Sequence, residues 1–439
     1  MSQRSDQLPE PTQPRLLFLE TLWALPVAVL TGSASALFLW SLDRVTHVRF
    51  TYPWLLFGLP VAGMGMIWAY RRFGDNADQG TNLILNELHS PAEKVPFRLA
   101  PFILISTVLT HLCGGSAGRE GTAVQMGGGI AGGLIRWCRI LPQLQPHVLL
   151  AGMAAGFGAV FGTPWAGAIF ALEVSVIGRL RMAAVLPCML AAFLGDATCT
   201  AWGIHHTAYQ VAPLVDAETS GRGMLLGKML IAAVGFGLAS RLFVEAMHFL
   251  GQQYQRWCCP PLLRPLIGGL AIILLTFVIQ DRSYLGLGVS SLHTGDVSIL
   301  SSFEPGGAQT WSWMWKLVFT VITLSAGFKG GEVTPLFFVG ASLGNTFASL
   351  LHAPVDLFAG LGFVAVFAAA SNTPLACAVM GMELFGVQHG FYLGLACFVA
   401  YLVSGHAGIY SAQRLGRGKR RKSAHLPEAT LADWRNRDR

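Results

Sequence analysis

Four glycine-rich segments hold the residues of this sequence best suited to chemistry. In Gly114-Gly115-Ser116-Ala117-Gly118-Arg119-Glu120-Gly121-Thr122-Ala123-Val124-Gln125, one acid stands among small residues. Small residues permit a tight turn and close backbone approach, and Thr122 suits a helix start. The free N–H groups and partial positive charge of a helix N-terminus hold anions. An ionised Glu120 would occupy that place itself; on protonation it would vacate the place and carry a proton. The plainer reading is a surface pair with Arg119. In Gly327-Phe328-Lys329-Gly330-Gly331-Glu332-Val333-Thr334-Pro335-Leu336, glycines again precede a helix start, with Pro335 in the first turn. There Glu332 would at the least complement the helix dipole. Gly80-Thr81-Asn82-Leu83-Ile84 offers a hydroxyl and an amide, which either donate to an anion without adding charge or cap a helix. In Gly408-Ile409-Tyr410-Ser411, Tyr410 either anchors at a membrane interface or turns its hydroxyl inward as a donor.

The elements that must position these segments are apolar helices. Of 439 residues, 53% are hydrophobic and 12% charged, against about 25% charged in ordinary soluble domains. Apolar stretches recur at Leu16–Leu42, Trp54–Tyr70, Leu99–Leu112, Arg181–Trp202, Gly223–Phe243, Leu266–Ile279, Trp313–Ala326 and Gly390–Val403. They lack the period-2 alternation of strands. Backbone groups in lipid must be satisfied internally, so these stretches are expected to be membrane helices. The 51 glycines suggest close helix packing and broken helices. Ala34-Ser35-Ala36 imitates a signal-peptidase site, but the apolar run continues past it, which predicts a retained helix. The eight cysteines show no metal-ligand spacing and read as reduced core residues. Arg414, Arg417, Lys419, Arg420, Arg421 and Lys422 follow the last apolar stretch. They read as a cytoplasmic flank of the membrane rather than a nucleic-acid arm.

The chain also repeats itself. Ser116-Ala117-Gly118 returns as Ser325-Ala326-Gly327, and Thr163-Pro164 with Glu173 returns as Thr373-Pro374 with Glu383. Duplicated halves with Pro and Gly at matching places are a signature of transporters whose site lies between the halves. The boundaries expected are a tail at 1–15, a first transmembrane repeat at 16–215, a second at 216–412, and a basic tail at 413–439. The rival from another class is an intramembrane serine protease, because Gly114 to Gly118 matches G-x-S-x-G. That motif needs a strand-to-helix elbow and a partner His.

These four segments, in this order from about Leu16 to Arg414, resemble the CLC family of chloride channels and anion/proton exchangers. Gly118-Arg119-Glu120-Gly121 looks like its gating-glutamate motif. Gly330 through Pro335 is similar to its second anion loop, Tyr410 to its pore tyrosine, and Phe161-Gly162-Thr163-Pro164 through Glu173 to the helix leading to its inner proton path. The resemblance implies an all-α polytopic membrane protein with an inverted repeat of tilted and broken helices. It also implies a homodimer in the lipid bilayer with both termini cytoplasmic.

The departures from that family pattern point to one branch. Asn82, or Thr81 in another register, replaces the usual serine, with Asn82 favoured. Glu332 and Thr334 intrude into the second loop, and Val174 stands where chloride exchangers carry an inner glutamate. Together these resemble the bacterial branch that exports fluoride in exchange for protons across the inner membrane. The resemblance gives Glu120 gating and proton transfer, and Glu332 the inner proton route. It gives anion binding to Asn82, Thr81, Gly118, Arg119, Gly121, Val333, Thr334 and Tyr410. A dehydrated fluoride needs donors in place of its water shell. A chloride channel or chloride/proton exchanger of the same fold is the alternative. No metal, cofactor or nucleic acid is expected.

Overall fold

The computed structural model describes residues 14–89, 94–213, 219–258, 260–291, 295–416, 419 and 429–437. Arg417, Arg420, Arg421 and Lys422 of the basic tail, Cys259, and most of the N-terminal tail lie outside them. The helices are α1 (Pro14–Thr51), α2 (Leu59–Phe73), α3 (Thr81–His89), α4 (Leu99–Leu112), α5 (Glu120–Trp137), α6 (Gln145–Phe161), α7 (Pro164–Glu173) and α8 (Val185–Ala201). They continue as α9 (Thr219–Trp257), α10 (Leu263–Ile279), α11 (Ser312–Ser325), α12 (Val333–Leu351), α13 (Val355–Ser371), α14 (Pro374–Phe385), α15 (Gly390–Val403) and α16 (Leu431–Arg437). Two short parallel strands, β1 (Val176–Ile177) and β2 (Arg414–Leu415), tie the end of the first half to the end of the second. Among the described residues, five helical stretches are long and apolar enough to cross a membrane. Others are shorter, as α7 is at 10 residues, against the roughly 20 that a span needs. Helix α1 runs unbroken through Ala34-Ser35-Ala36. The seven described cysteines are free, and all but Cys138 are buried.

The repeat is visible helix by helix. Helices α1 and α9 hold 38 and 39 residues, α4 and α11 hold 14 each, and α6 and α13 hold 17 each. Close crossings recur as well. A Cβ on Gly127 would lie 1.9 Å from the carbonyl oxygen of Gly152, and one on Gly340 would lie 2.1 Å from that of Gly362. Both the α5–α6 and the α12–α13 contacts therefore need glycine, as small-residue membrane interfaces do. One sequence match is corrected. Ser325 closes α11, whereas Ser116 lies past the end of α4, so the two Ser-Ala-Gly copies are not structural equivalents. Ser116 meets Thr320 by its hydroxyl at 2.9 Å, whereas Ser325 donates to the carbonyl of Met247. The Thr-Pro…Glu match stands, since Pro164 and Pro374 open α7 and α14.

The halves run in opposite senses. Ala24 and Ala28 of α1 pack with Ala191 of α8, and Ser33 meets Trp202 at its end, so α1 and α8 are parallel. Helix α8 starts just beyond β1 and leads away from it. Its counterpart α15 ends where Tyr401 joins Ile177, Leu415 and Leu431, beside β1 and β2. Both described chain ends therefore lie at one end of the helix bundle, called here the tail end. Arg49, near the close of α1, and Trp202 lie at the other, the far end.

Candidate functional site

Helices α5 and α12 begin inside the protein, and their starts meet. Gly118 N–H donates to Gly331 O at 2.6 Å, and Gly331 N–H donates to Gly118 O at 2.8 Å. This antiparallel bridge works only because side chains are absent: a Cβ on Gly118 would stand 2.9 Å from Gly331 O, Pro335 Cδ and Thr334 N. Two helix N-termini, each with free N–H groups and partial positive charge, thus point into one buried place.

Glu120 is the first residue of α5 and is 1% exposed. Its Oε2 accepts a hydrogen bond from Thr334 Oγ1, and its Oε1 one from Arg119 Nε at 3.3 Å. The Arg119 N–H donates to Thr334 Oγ1 at 3.2 Å. The pairing of Glu120 with Arg119 is real, but burial excludes the plain surface pair. The carboxylate lies at the meeting helix N-termini and takes the hydroxyl and guanidinium donors there.

Glu332 precedes Val333, the first residue of α12, and its Oε2 would be 3.6 Å from a Cβ on Gly121. The two acids therefore flank the same break. Beyond Glu332, toward the tail end, lies Lys329, within electrostatic reach of both Glu332 and Asp78. Lys329 Nζ donates to Asp78 O at 3.2 Å and lies 4.6 Å from the Tyr70 ring centre. Lys329 stands in the second segment, but Asp78 in the α2–α3 loop and Tyr70 in α2 are what fix its place.

The α3 start packs against the second turn of α5, where a Cβ on Gly80 would meet Gln125 Oε1 at 3.0 Å. Asn82 Oδ1 accepts the N–H of Ala412 at 3.1 Å, which ties α3 to the Tyr410 segment. Its amide NH2 has no hydrogen-bond partner among the described residues and remains available as a donor. Thr81 is the first residue of α3 and is buried. Tyr410 is 3% exposed, packs edge-on against Phe170 at 6.4 Å, and feels the charges of Glu332 and Glu120. Its burial excludes the interfacial-anchor reading, and its hydroxyl has no partner among the described residues.

Glu173 has a different place. Its carboxylate accepts the N–H groups of Leu375 and Ala376 at 3.1 and 2.8 Å, at the start of α14. Glu383, at the other end of α14, accepts those of Trp165 and Ala166 at 3.0 and 2.8 Å, at the start of α7. The two short helices are therefore antiparallel, and each ends in the acid that caps its partner. Val174 is fully buried, so no acid stands there to continue inward. The protease reading fails on geometry. Ser116 lies in a loop after a helix, its hydroxyl meets Thr320, and both ring nitrogens of His111 lie against the carbonyls of Thr107 and Ala117.

A buried carboxylate at helix breaks between two inverted halves is a transporter's architecture. The family model described as "Voltage gated chloride channel" matches residues 62–405. The chain belongs to this family. It is 48% identical over 404 residues to the "Chloride/fluoride channel protein" of Pseudomonas syringae pv. tomato, covering 92% of this chain and 87% of that one. Among solved structures it is similar to a CLC-type fluoride/proton antiporter, with a TM-score of 0.85 and 36% identity over 92% of this chain and 99% of that one. A slow cyanobacterial Cl⁻/H⁺ antiporter shares the fold, with a TM-score of 0.72 and 20% identity over 90% and 95% of the two chains. The chain is thus a multi-pass membrane protein with the inverted-repeat CLC-type fold.

Proposed function

We propose that this protein exports fluoride across the bacterial inner membrane in exchange for protons, with Glu120 as both gate and proton carrier. The observation that carries the reading is the buried Glu120 carboxylate, held by Thr334 and Arg119 at the meeting helix N-termini. An ionised Glu120 and a transported anion compete for the same donors. Protonation ends that competition and loads a proton on the group that leaves. Proton entry and anion exit then become opposite halves of one cycle. Glu332 serves the inner proton route in place of the acid missing at Val174, and Lys329 and Asp78 stand between it and the tail end. Asn82 and Tyr410 present donors to the anion, with Thr81, Thr334 and the backbone at Gly118, Arg119, Gly121 and Val333 completing its shell.

Both chain ends are assigned to the cytoplasm. The described ends share one end of the bundle, where Arg71, Arg72, Arg98, Arg181 and Arg414 also lie, in keeping with the positive-inside rule. The protein works as a homodimer in lipid. Helices α8 and α15 form the interface and offer exposed Leu186, Phe193, Phe391 and Phe398. Chloride is the second reading of the substrate, favoured by the Pseudomonas syringae relative being a chloride/fluoride channel protein by name.

The test is paired proton and fluoride flux from proteoliposomes at two pH gradients, repeated with chloride. An inward proton gradient drives fluoride out of liposomes holding the unaltered protein. In Glu120→Gln, proton movement falls to background. Intact proton-coupled transport in that variant removes Glu120 from the mechanism, and a chloride flux that outpaces fluoride moves the assignment to the second reading.

A further inference from the structure

At the far end, α1, the loop after α10 and the entry to the gating segment enclose a cavity of about 120 Å³. Arg49, Arg282, Ser283, Ser290 and Asp296 line it, together with Gly114, which opens the gating segment. A cavity of that size holds several waters or one small polyatomic group. Arg49 and Arg282 lie close enough for their like charges to oppose each other. Among the described residues neither guanidinium has a hydrogen-bond or carboxylate partner; Arg49 lies 4.8 Å from the Phe50 ring centre. Behind the cavity, the buried Lys316 Nζ donates to Tyr284 O and Gly286 O at 3.1 and 2.7 Å. Gly286 has φ +61°, and a Cβ there would stand 3.1 Å from Arg49 Nη2. The loop is therefore built to let one cation approach from each side.

Two guanidiniums against the single Asp296 leave the lining net positive. Arg49 is partly buried and Arg282 exposed, and like charges held this close favour an anion between them. Guanidinium forks and serine hydroxyls match a tetrahedral oxoanion better than a spherical halide. Depth points the same way. Tyr52 and Trp54, 49% and 63% exposed, follow Arg49 directly, as aromatic residues do at headgroup level. Phe57 and Phe277, both exposed, stack next to them at 5.9 Å.

We propose that the cavity between Arg49 and Arg282 binds a phosphate group, at the depth where lipid headgroups lie. The site is separate from the Glu120 break and does not rest on the fluoride reading. Its occupant touches the loop that leads into the gating segment.

The experiment uses the full chain and two probes. Native mass spectrometry of protein released from nanodiscs of phosphatidylglycerol and phosphatidylcholine reads bound lipid. Thermal stability in detergent, with inorganic phosphate or chloride at matched ionic strength, reads the free anion. Retained phospholipid supports the site and names the bilayer as source; stabilisation by inorganic phosphate alone supports it and names the solution. Arg282 is exposed, so Arg282→Gln leaves the packing intact and weakens either response roughly tenfold, the loss expected for one charge-assisted bond. Arg49→Gln does the same if it folds. An unaltered protein that binds neither probe, an Arg282→Gln variant with an unchanged response, or chloride equal to phosphate overturns the proposal.

Discussion

The reciprocal caps between α7 and α14 give a prediction whose order of magnitude follows from geometry. Each of Glu173 and Glu383 accepts two backbone N–H groups, at 2.8 to 3.1 Å. Substituting Gln keeps size and one acceptor but turns an NH2 donor toward the second N–H. One hydrogen bond is lost, and a helix-terminal donor is left without a partner. Such a buried loss costs about 1–3 kcal/mol, or roughly a 5- to 150-fold shift toward unfolding. Glu173 is 8% exposed, whereas Glu383 is only partly buried, so water recovers some of the second loss. Glu173→Gln is therefore the more destabilising change. Equilibrium unfolding in mixed micelles gives both values, and the double variant shows whether the caps act together. No destabilisation in Glu173→Gln, or a larger cost for Glu383→Gln, would refute the reasoning that these acids hold the two halves together by capping.

Three further outcomes are expected. Glu332→Gln slows proton flux while fluoride binding survives; unchanged rates for both ions reduce Glu332 to a helix-terminus acid. Asn82→Leu keeps similar size and removes both the free amide donor and the bond to Ala412. It should weaken fluoride binding roughly tenfold, as for one hydrogen bond to a charged group, and isothermal calorimetry on the purified protein reads the loss. Cysteines placed at Phe193 and Phe391 should crosslink between protomers in native membranes, whereas mass photometry that finds monomers at every concentration contradicts the dimer.

Legibility in the sequence followed the kind of packing each helix makes. Helices α8 and α15 face outward on one side, need continuous apolar surface, and stood out as Arg181–Trp202 and Gly390–Val403. Helices α5, α6, α12 and α13 lie inside the protein, where Gly127, Gly152, Gly340 and Gly362 bring backbones together. Those glycines were visible in the sequence, but not which backbones they let meet. The repeat was legible in Thr163-Pro164…Glu173 because a helix start and its partner's cap need particular residues. It was not truly legible in Ser116-Ala117-Gly118, where a chance match joined positions with different partners. Glu120 was legible because an acid among glycines has few structural uses. Lys329 was not, because its role comes from Asp78 and Tyr70, some 250 residues away in sequence.

The placement of the two acids bears directly on coupling. Each N-terminus offers about half a positive charge, and the two starts share one buried break. That field, together with the Arg119 guanidinium, favours negative charge at the donors Glu120 now takes. On the proposed reading, a fluoride ion and an ionised Glu120 cannot hold those donors at once. Anion arrival must be matched by protonation of an acid, and anion departure by its release. The acids differ in what surrounds them. Glu120 is gripped by Thr334 and Arg119, at the start of α5. Glu332 lies toward Lys329 and Asp78. On that reading, a proton leaving Glu120 toward the tail end meets Glu332 before it meets the charged loop, and one break between inverted halves serves both ions.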